Sequence, residues 1–165
     1  MNTPAEDIAY RPIGILRSPF RDIAGMPIQP MGALGVAGHV EVHTVFVAGL
    51  ADFEGFSHVF LLYHLHRVTG FDLMVKPFLD NDHHGIFATR SPKRPNPIGL
   101  SVLELAGVDG STVHLRNVDV LDGTPVLDIK PYVPRFDVWQ AERTGWFAGK
   151  ARNAGDLRSD DRFRS

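Results

Sequence analysis

The chain contains no cysteine. A disulfide scaffold, a thiolate metal site and a cysteine nucleophile are therefore excluded. Long apolar runs are missing too. The longest candidate, HVFLLYHLH (58–66), holds three histidines and falls well short of the roughly 20 residues a membrane-spanning helix needs. The opening stretch MNTPAEDIAYRP is too polar for a secretory leader. There is no excess of charge of one sign: 17 basic and 19 acidic side chains leave a net charge of −2. That balance excludes a globally basic nucleic-acid binder and permits a local basic patch. No GxGxxG follows a strand pattern and no P-loop lysine motif occurs, so neither a Rossmann site nor a P-loop is supported. Internal repeats and low-complexity linkers are absent as well. Together these absences predict a soluble, cytoplasmic protein with no membrane partner.

What is present is a packed, strand-rich domain. Apolar residues make up 44% of the chain, which suits a folded core and not a disordered segment. YRPIGILR (10–17) and HVEVH (39–43) alternate as strands. SHVFLLYHLH (57–66) fits a buried strand, and FDLMVKPF (71–78) reads as another. IGLSVLELAGVDG (98–110) and STVHLRNVDV (111–120) predict a hairpin turning at Asp109–Gly110. TPVLDIKPYV (124–133) follows a second Asp–Gly turn at 122–123. TVFVAGLADFEGF (44–56) reads as a short helix, and SPFRDIAGMPIQPMGALGVAG (18–38) as a long loop rich in Gly and Pro. At least six strands with few helices predict a mainly β fold, a small single-domain barrel or strongly curved sheet with one or two short helices and long loops.

Four stretches carry chemistry. GIFATRSPKRPNPIGLS (85–101) combines Arg90, Lys93 and Arg94 with three prolines. Ser91, Arg94 and Asn96 each precede a proline, which stiffens the loop. A stiff loop bearing guanidinium groups suits a carboxylate or phosphate. Composition alone equally allows a solvated Pro-rich turn. DVLDGTPVLDIKPY (119–132) offers Asp119, Asp122 and Asp128 with Lys130 and Tyr132. On a strand, Asp128, Lys130 and Tyr132 share one face, either a polar site or the solvated side of an antiparallel strand. His58, His64, His66, His83 and His84 lack the spacing that would define three converging ligands, so no metal is expected. The GMPIQP loop (25–30) could bring backbone close to a small ligand or be a plain connection.

FSHVFLLYHLHR (56–67), GIFATRSPKRPNPIGLS (85–101) and DVLDGTPVLDIKPYVP (119–134), in that order, resemble the TsaA-like domain of the TrmO family, as do YRPIGILRSPF and GMPIQP. The resemblance spans residues 10–147 and leaves 148–165 as a charged tail. It implies a small β-barrel that binds S-adenosyl-L-methionine without a Rossmann sheet, as a homodimer with a pocket near the subunit interface. It further implies N6-methylation of threonylcarbamoyl-adenosine beside the tRNA anticodon, with no DNA partner. Longer family members carry an extra C-terminal domain, and this chain looks like the short form.

The family's cofactor contacts match Gln29, His66, Arg67, Arg90, Leu100 and the turn Asp119, Val120, Leu121 and Asp122. The acceptor is a ureido nitrogen with a delocalised lone pair, which asks for a base or a polarising hydrogen bond. Asp128, Lys130 and Tyr132 are the catalytic candidates. Lys93, Arg94 and Asn96 are assigned to substrate carboxylate or tRNA phosphates. Phe136, Trp139 and Trp146 are candidates for stacking on splayed bases or for packing. The alternatives are a non-catalytic module that binds S-adenosyl-L-methionine or a nucleotide, and a histidine metal hydrolase.

Overall fold

Short alternating segments become strands wherever a turn residue lets the chain double back. A computed structural model describes residues 6–150, 155–156 and 158–160. Its main strands are β1 (Gly14–Arg17), β2 (Ala37–Val42), β3 (His58–His64), β6 (Ile98–Asp109), β7 (Thr112–Arg116) and β8 (Thr124–Pro131). They close into a barrel in the order β1-β2-β7-β6-β3-β8, with β8 returning to β1. Every neighbouring pair is antiparallel. A separate two-stranded ribbon pairs β4 (Met74–Val75) with β5 (His84–Gly85). The mainly β barrel expected from the pattern is the fold found.

The hairpin β6–β7 turns at Gly110, whose φ of 56° suits glycine. Along β3 the burial alternates: Val59, Leu61 and Tyr63 point into the barrel, while Phe60 and Leu62 on the other face are half-buried. The apolar run thus serves two surfaces, not one core. Leu16, Val40, Val59, Leu61, Leu103, Val113, Val118 and Val126 are fully buried. Burying each such side chain is worth about 1.5–3 kcal/mol, and they form one contiguous core.

A bulge divides β8. Opposite β3, Tyr63 faces Val126 and Leu62 faces Asp128, so Leu127 is the extra residue. It shifts the in–out alternation by one place. Thr124 and Val126 point inward above it, Ile129 packs against the core below it, and Asp128 and Lys130 face outward.

Two elements differ from the sequence expectation. Residues 44–56 form two 3-10 segments, Thr44–Leu50 and Phe53–Gly55, separated by Asp52 at φ 64°. A residue in the left-handed region ends a helical run. Residues 71–78 yield only the two-residue strand β4, since its sole partner, β5, is equally short. The one α-helix among the described residues, α1 (Pro134–Asp137), starts at a proline. Most of the tail expected at 148–165 lies outside the described residues.

Candidate functional site

At the end of the barrel where β3 finishes and β6 begins, the chain surrounds a cavity of about 730 Å³. That is within the usual size of a small-molecule site, roughly 300–1,000 Å³. Three segments distant in sequence meet there: the Met26–Pro30 loop, the basic loop at 89–94 and the turn at 119–121. Phe60, Leu65, Ile98, Leu100 and Val102 supply apolar wall.

The basic loop is braced by one of its own charges. Arg94 donates from Nη1 to the carbonyls of Thr89 (2.9 Å), Ser91 (3.2 Å) and Ile86 (3.4 Å). Its guanidinium therefore braces the loop from within, although it also lines the cavity. Lys93 Nζ lies 4.0 Å from Asp72. Arg90 is exposed, and its Nη1 donates to Gln29 Oε1 at 3.1 Å. The buried hydroxyl of Ser91 also lines the cavity and has no hydrogen-bond partner among the described residues. An orphan buried hydroxyl costs free energy unless a ligand completes it.

The acidic turn is stitched to the end of β1. Ser18 Oγ donates to Val120 O at 2.6 Å, Asp122 N to Phe20 O at 2.8 Å and Gly123 N to Leu16 O at 2.9 Å. Gly123, at φ 79°, makes the corner. The two aspartates then part. Asp122 accepts from Arg21 Nη1 (2.7 Å) and Ser18 N (3.1 Å). It faces a second hollow lined by Arg17, Arg21, His39, Glu41 and His114. Asp119 faces the main cavity, where its Oδ1 accepts from Ser101 Oγ at 2.8 Å. Ser101 Oγ in turn lies 3.0 Å from Tyr63 Oη. Since the Ser101 proton goes to Asp119, Tyr63 is the donor to Ser101.

Burial dominates the electrostatics of this chain. It pushes the Asp119 carboxyl up to about 6, against a smaller downward pull from the Ser101 hydrogen bond. Burial and the nearby Asp119 charge raise the Tyr63 phenol, which stays protonated. His66 is lowered by burial and by Arg67 and His64, so its imidazole is neutral at pH 7.

The segment Gly145–Phe147 closes one side. Trp146 and Phe147 line the cavity and stack on each other, with ring centroids 3.9 Å apart. His84 stacks on Trp146 at 4.4 Å, and Trp146 Nε1 donates to Ala88 O at 2.7 Å. Beneath them Asp80 Oδ2 accepts from His84 Nε2 (2.9 Å) and Lys150 Nζ (2.5 Å). These two partners hold its carboxyl well below the usual range. Trp146 here packs, which was one of its two sequence readings; Trp139 and Phe136 are exposed.

Of the residues singled out in the sequence, Gln29, His66, Arg67, Arg90, Arg94, Leu100, Asp119, Val120 and Leu121 line the cavity. Asp122, Lys93 and Asn96 do not. Asp128, Lys130 and Tyr132 sit on the outward face of β8 and its extension. Lys130 Nζ pairs with Asp128 Oδ2 at 2.7 Å, and Tyr132 packs edge-on to Phe60 at 5.3 Å. Asp128 lies opposite Leu62, which lies opposite Leu100. Lys130 lies opposite Phe60, which lines the cavity, so this face of β8 is one strand, about 5 Å, from the cavity wall. Tyr63, Ser101 and Ser91 were missed, because nothing in one strand's pattern reveals its partner across the barrel. Among the described residues no three His, Asp or Glu side chains converge to hold a metal ion.

The comparisons place the chain in a known family. Residues 15–138 match the family model described as the tRNA-methyltransferase O N-terminal domain. A probable S-adenosyl-L-methionine-binding protein of Pyrococcus abyssi is 49% identical over 94% of this chain and 85% of its own length. The tRNA (adenine(37)-N6)-methyltransferase of Escherichia coli is 39% identical over 76% of this chain, which spans 57% of that relative. A crystal structure of TrmO from Pseudomonas aeruginosa superposes with a TM-score of 0.73 at 37% identity, covering 88% of this chain and 63% of that one. With the barrel, the basic loop and the Asp–Gly turn all in place, this chain belongs to the family of the tRNA-methyltransferase O N-terminal domain.

Proposed function

We propose that the chain is an S-adenosyl-L-methionine-dependent methyltransferase acting on the N6 position of threonylcarbamoyl-adenosine beside the tRNA anticodon. The observation that carries this reading is the meeting of Arg90, Asp119 and the unpartnered Ser91 hydroxyl on one mostly apolar cavity. The Escherichia coli relative, a tRNA (adenine(37)-N6)-methyltransferase, supports the reaction, and the Pyrococcus abyssi relative, a probable S-adenosyl-L-methionine-binding protein, supports the cofactor. The residues fit the cofactor: Arg90 suits its carboxylate, the apolar wall with Leu100, Val120 and Leu121 suits its adenosyl group, and the neutral His66 beside Arg67 can bind without adding charge. When bound, the cofactor supplies an electrophilic methyl on a cationic sulfur.

The chain's own residues then position the reactants. Holding a nucleophile close and aligned can be worth about 7–11 kcal/mol of barrier. The braced loop reduces the ordering cost of binding. Asp128, Lys130 and Tyr132 approach the acceptor from the outward face, orienting and polarising it. Asp122 contributes through the fold of the turn. Lys93, Arg94 and Asn96 lie on the side where tRNA approaches, with Lys93 the phosphate contact.

Residues 10–147 act as the functional unit, as a homodimer in the cytoplasm. Support for the dimer is the outward apolar face of Phe60, Leu62, Ile98, Leu100 and Val102, of which Leu100 is 61% exposed. No helix among the described residues is long and apolar enough to cross a membrane.

The alternative reading is a cofactor-binding module without turnover, as the archaeal relative's name allows. Mass spectrometry of tRNA nucleosides from cells with and without the gene separates the two. Loss of methylated threonylcarbamoyl-adenosine supports the enzyme; an unchanged profile with tight cofactor binding favours the module.

A further inference from the structure

Methylation of a nitrogen that carries hydrogen has a proton to dispose of. As the acceptor nitrogen bonds to the methyl carbon, the carbon–sulfur electron pair stays with sulfur, and the N–H proton must go to a base. A base that lines the cavity is placed to take it directly. The cavity is lined by Arg67, Arg90 and Arg94, which are permanently protonated and cannot accept. Tyr63 is already protonated and donates to Ser101. Among the described residues, two groups on the wall can accept at neutral pH, His66 and Asp119.

The surroundings choose between them. A proton on His66 creates a cation beside Arg67, and burial opposes it as well. A proton on Asp119 removes a charge from a site where burial makes charge costly. Ser101 and Tyr63 supply two successive hydrogen bonds that fix the carboxyl at the wall. Asp122, three residues on, is committed to Arg21 and Ser18. Asp128 is tied to Lys130 on the outward face.

We propose that the Asp119 carboxylate, held by the Tyr63–Ser101 hydrogen-bond chain, takes the proton that the acceptor nitrogen releases on methylation. This rests on the function given above and assigns a role within it. The proton leaves to solvent when product departs. Ser101 and Tyr63 are positioning residues: they act through the carboxyl.

The test is kcat against pH at saturating S-adenosyl-L-methionine, with cofactor affinity measured separately by calorimetry. Asp119→Asn is expected to lower kcat about 100- to 1,000-fold, in the range of a lost general base, and to abolish an acidic limb near pH 6. Its cofactor Kd is measured in parallel, so that a loss of kcat at saturating cofactor is separated from weaker binding. Ser101→Ala removes the bond that lowers the Asp119 carboxyl, so the limb should move to higher pH. A purely structural role would leave its position unchanged. His66→Gln and Asp128→Asn should keep the limb where it is.

The assignment is overturned if Asp119→Asn keeps the limb, or if its loss is recovered by more cofactor. Carbon-13 NMR of the ligand-free protein gives a readout without turnover: the Asp119 carboxyl should titrate near 6 and higher in Ser101→Ala. A midpoint near 4 overturns the assignment. Wild-type protein that methylates no threonylcarbamoyl-tRNA at any pH overturns the function itself. Active wild type with an equally active Asp119→Asn overturns only the role given to Asp119.

Discussion

The two hollows of the barrel differ in what their charges already hold. In the hollow beside β1 and β2, each carboxylate has an arginine: Arg17 Nε lies 3.1 Å from Glu41, and Arg21 Nη1 lies 2.7 Å from Asp122. In the main cavity, Arg90 meets the neutral Gln29 and Asp119 the neutral Ser101. A charge satisfied by an opposite charge gains little from a ligand. A charge held by a neutral partner stays uncompensated and attracts one. Sequence composition cannot separate these cases, since both hollows contain arginine and aspartate.

The contrast can be broken at several points. Arg90→Ala should have the largest effect, weakening S-adenosyl-L-methionine binding about 10- to 100-fold, the value of a charged hydrogen bond. Activity should collapse at ordinary cofactor concentrations while the thermal midpoint stays nearly unchanged. Calorimetric titration and a melting curve check both.

Gly99→Ala comes next. A Cβ there would sit 2.1 Å from the Tyr63 ring. Overpacking of this kind costs about 1–3 kcal/mol, read from urea unfolding, and it should also shift the Tyr63–Ser101 chain.

Asp119→Asn should stabilise the protein. A carboxyl raised in the folded state from 3.8 to about 6 binds more protons folded than unfolded. Folding stability therefore falls as pH rises between about 4 and 6, by up to about 3 kcal/mol for a shift of this size. The variant lacks that loss, so it should melt higher than wild type at pH 8 and equally at pH 4. Equal melting at both pH values would show that the charge is not held at a cost.

Arg21→Ala should do least. Arg21 is 80% exposed, and exposed ion pairs are worth about 0–1 kcal/mol. Cofactor affinity should stay within about twofold, because this charge lies outside the cavity. If Arg21→Ala weakened binding as much as Arg90→Ala, the distinction between the hollows would fail.

Strand content was legible because it is local. Alternation in HVEVH and the Asp109–Gly110 turn marked β2 and the β6–β7 hairpin, and few helical patterns argued for a barrel. The 44–56 segment was misread as one helix because nothing in its composition announces Asp52 in the left-handed region. At the site, the basic loop and the stretch from Asp119 stood out by composition, and Arg90, Asp119, Val120 and Leu121 line one cavity. Their pairings did not stand out. Ser101 meets Asp119, and Arg21 meets Asp122 across 101 residues, only through strand register and barrel closure. The outward placement of Asp128 and Lys130 likewise depends on the Leu127 bulge, which a strict two-residue period cannot anticipate.

The closed ring of six strands has a consequence for how this molecule meets others. Each barrel strand has hydrogen-bonding neighbours on both sides over part of its length, which leaves only short open stretches, such as Ile98–Leu103 of β6, for a foreign strand to join. Recognition by this body is therefore carried mainly by side chains. A second copy or a nucleic acid must be chosen by what projects from the wall, such as Leu100, Lys130 and Tyr132, and each of these can change without disturbing the backbone beneath it.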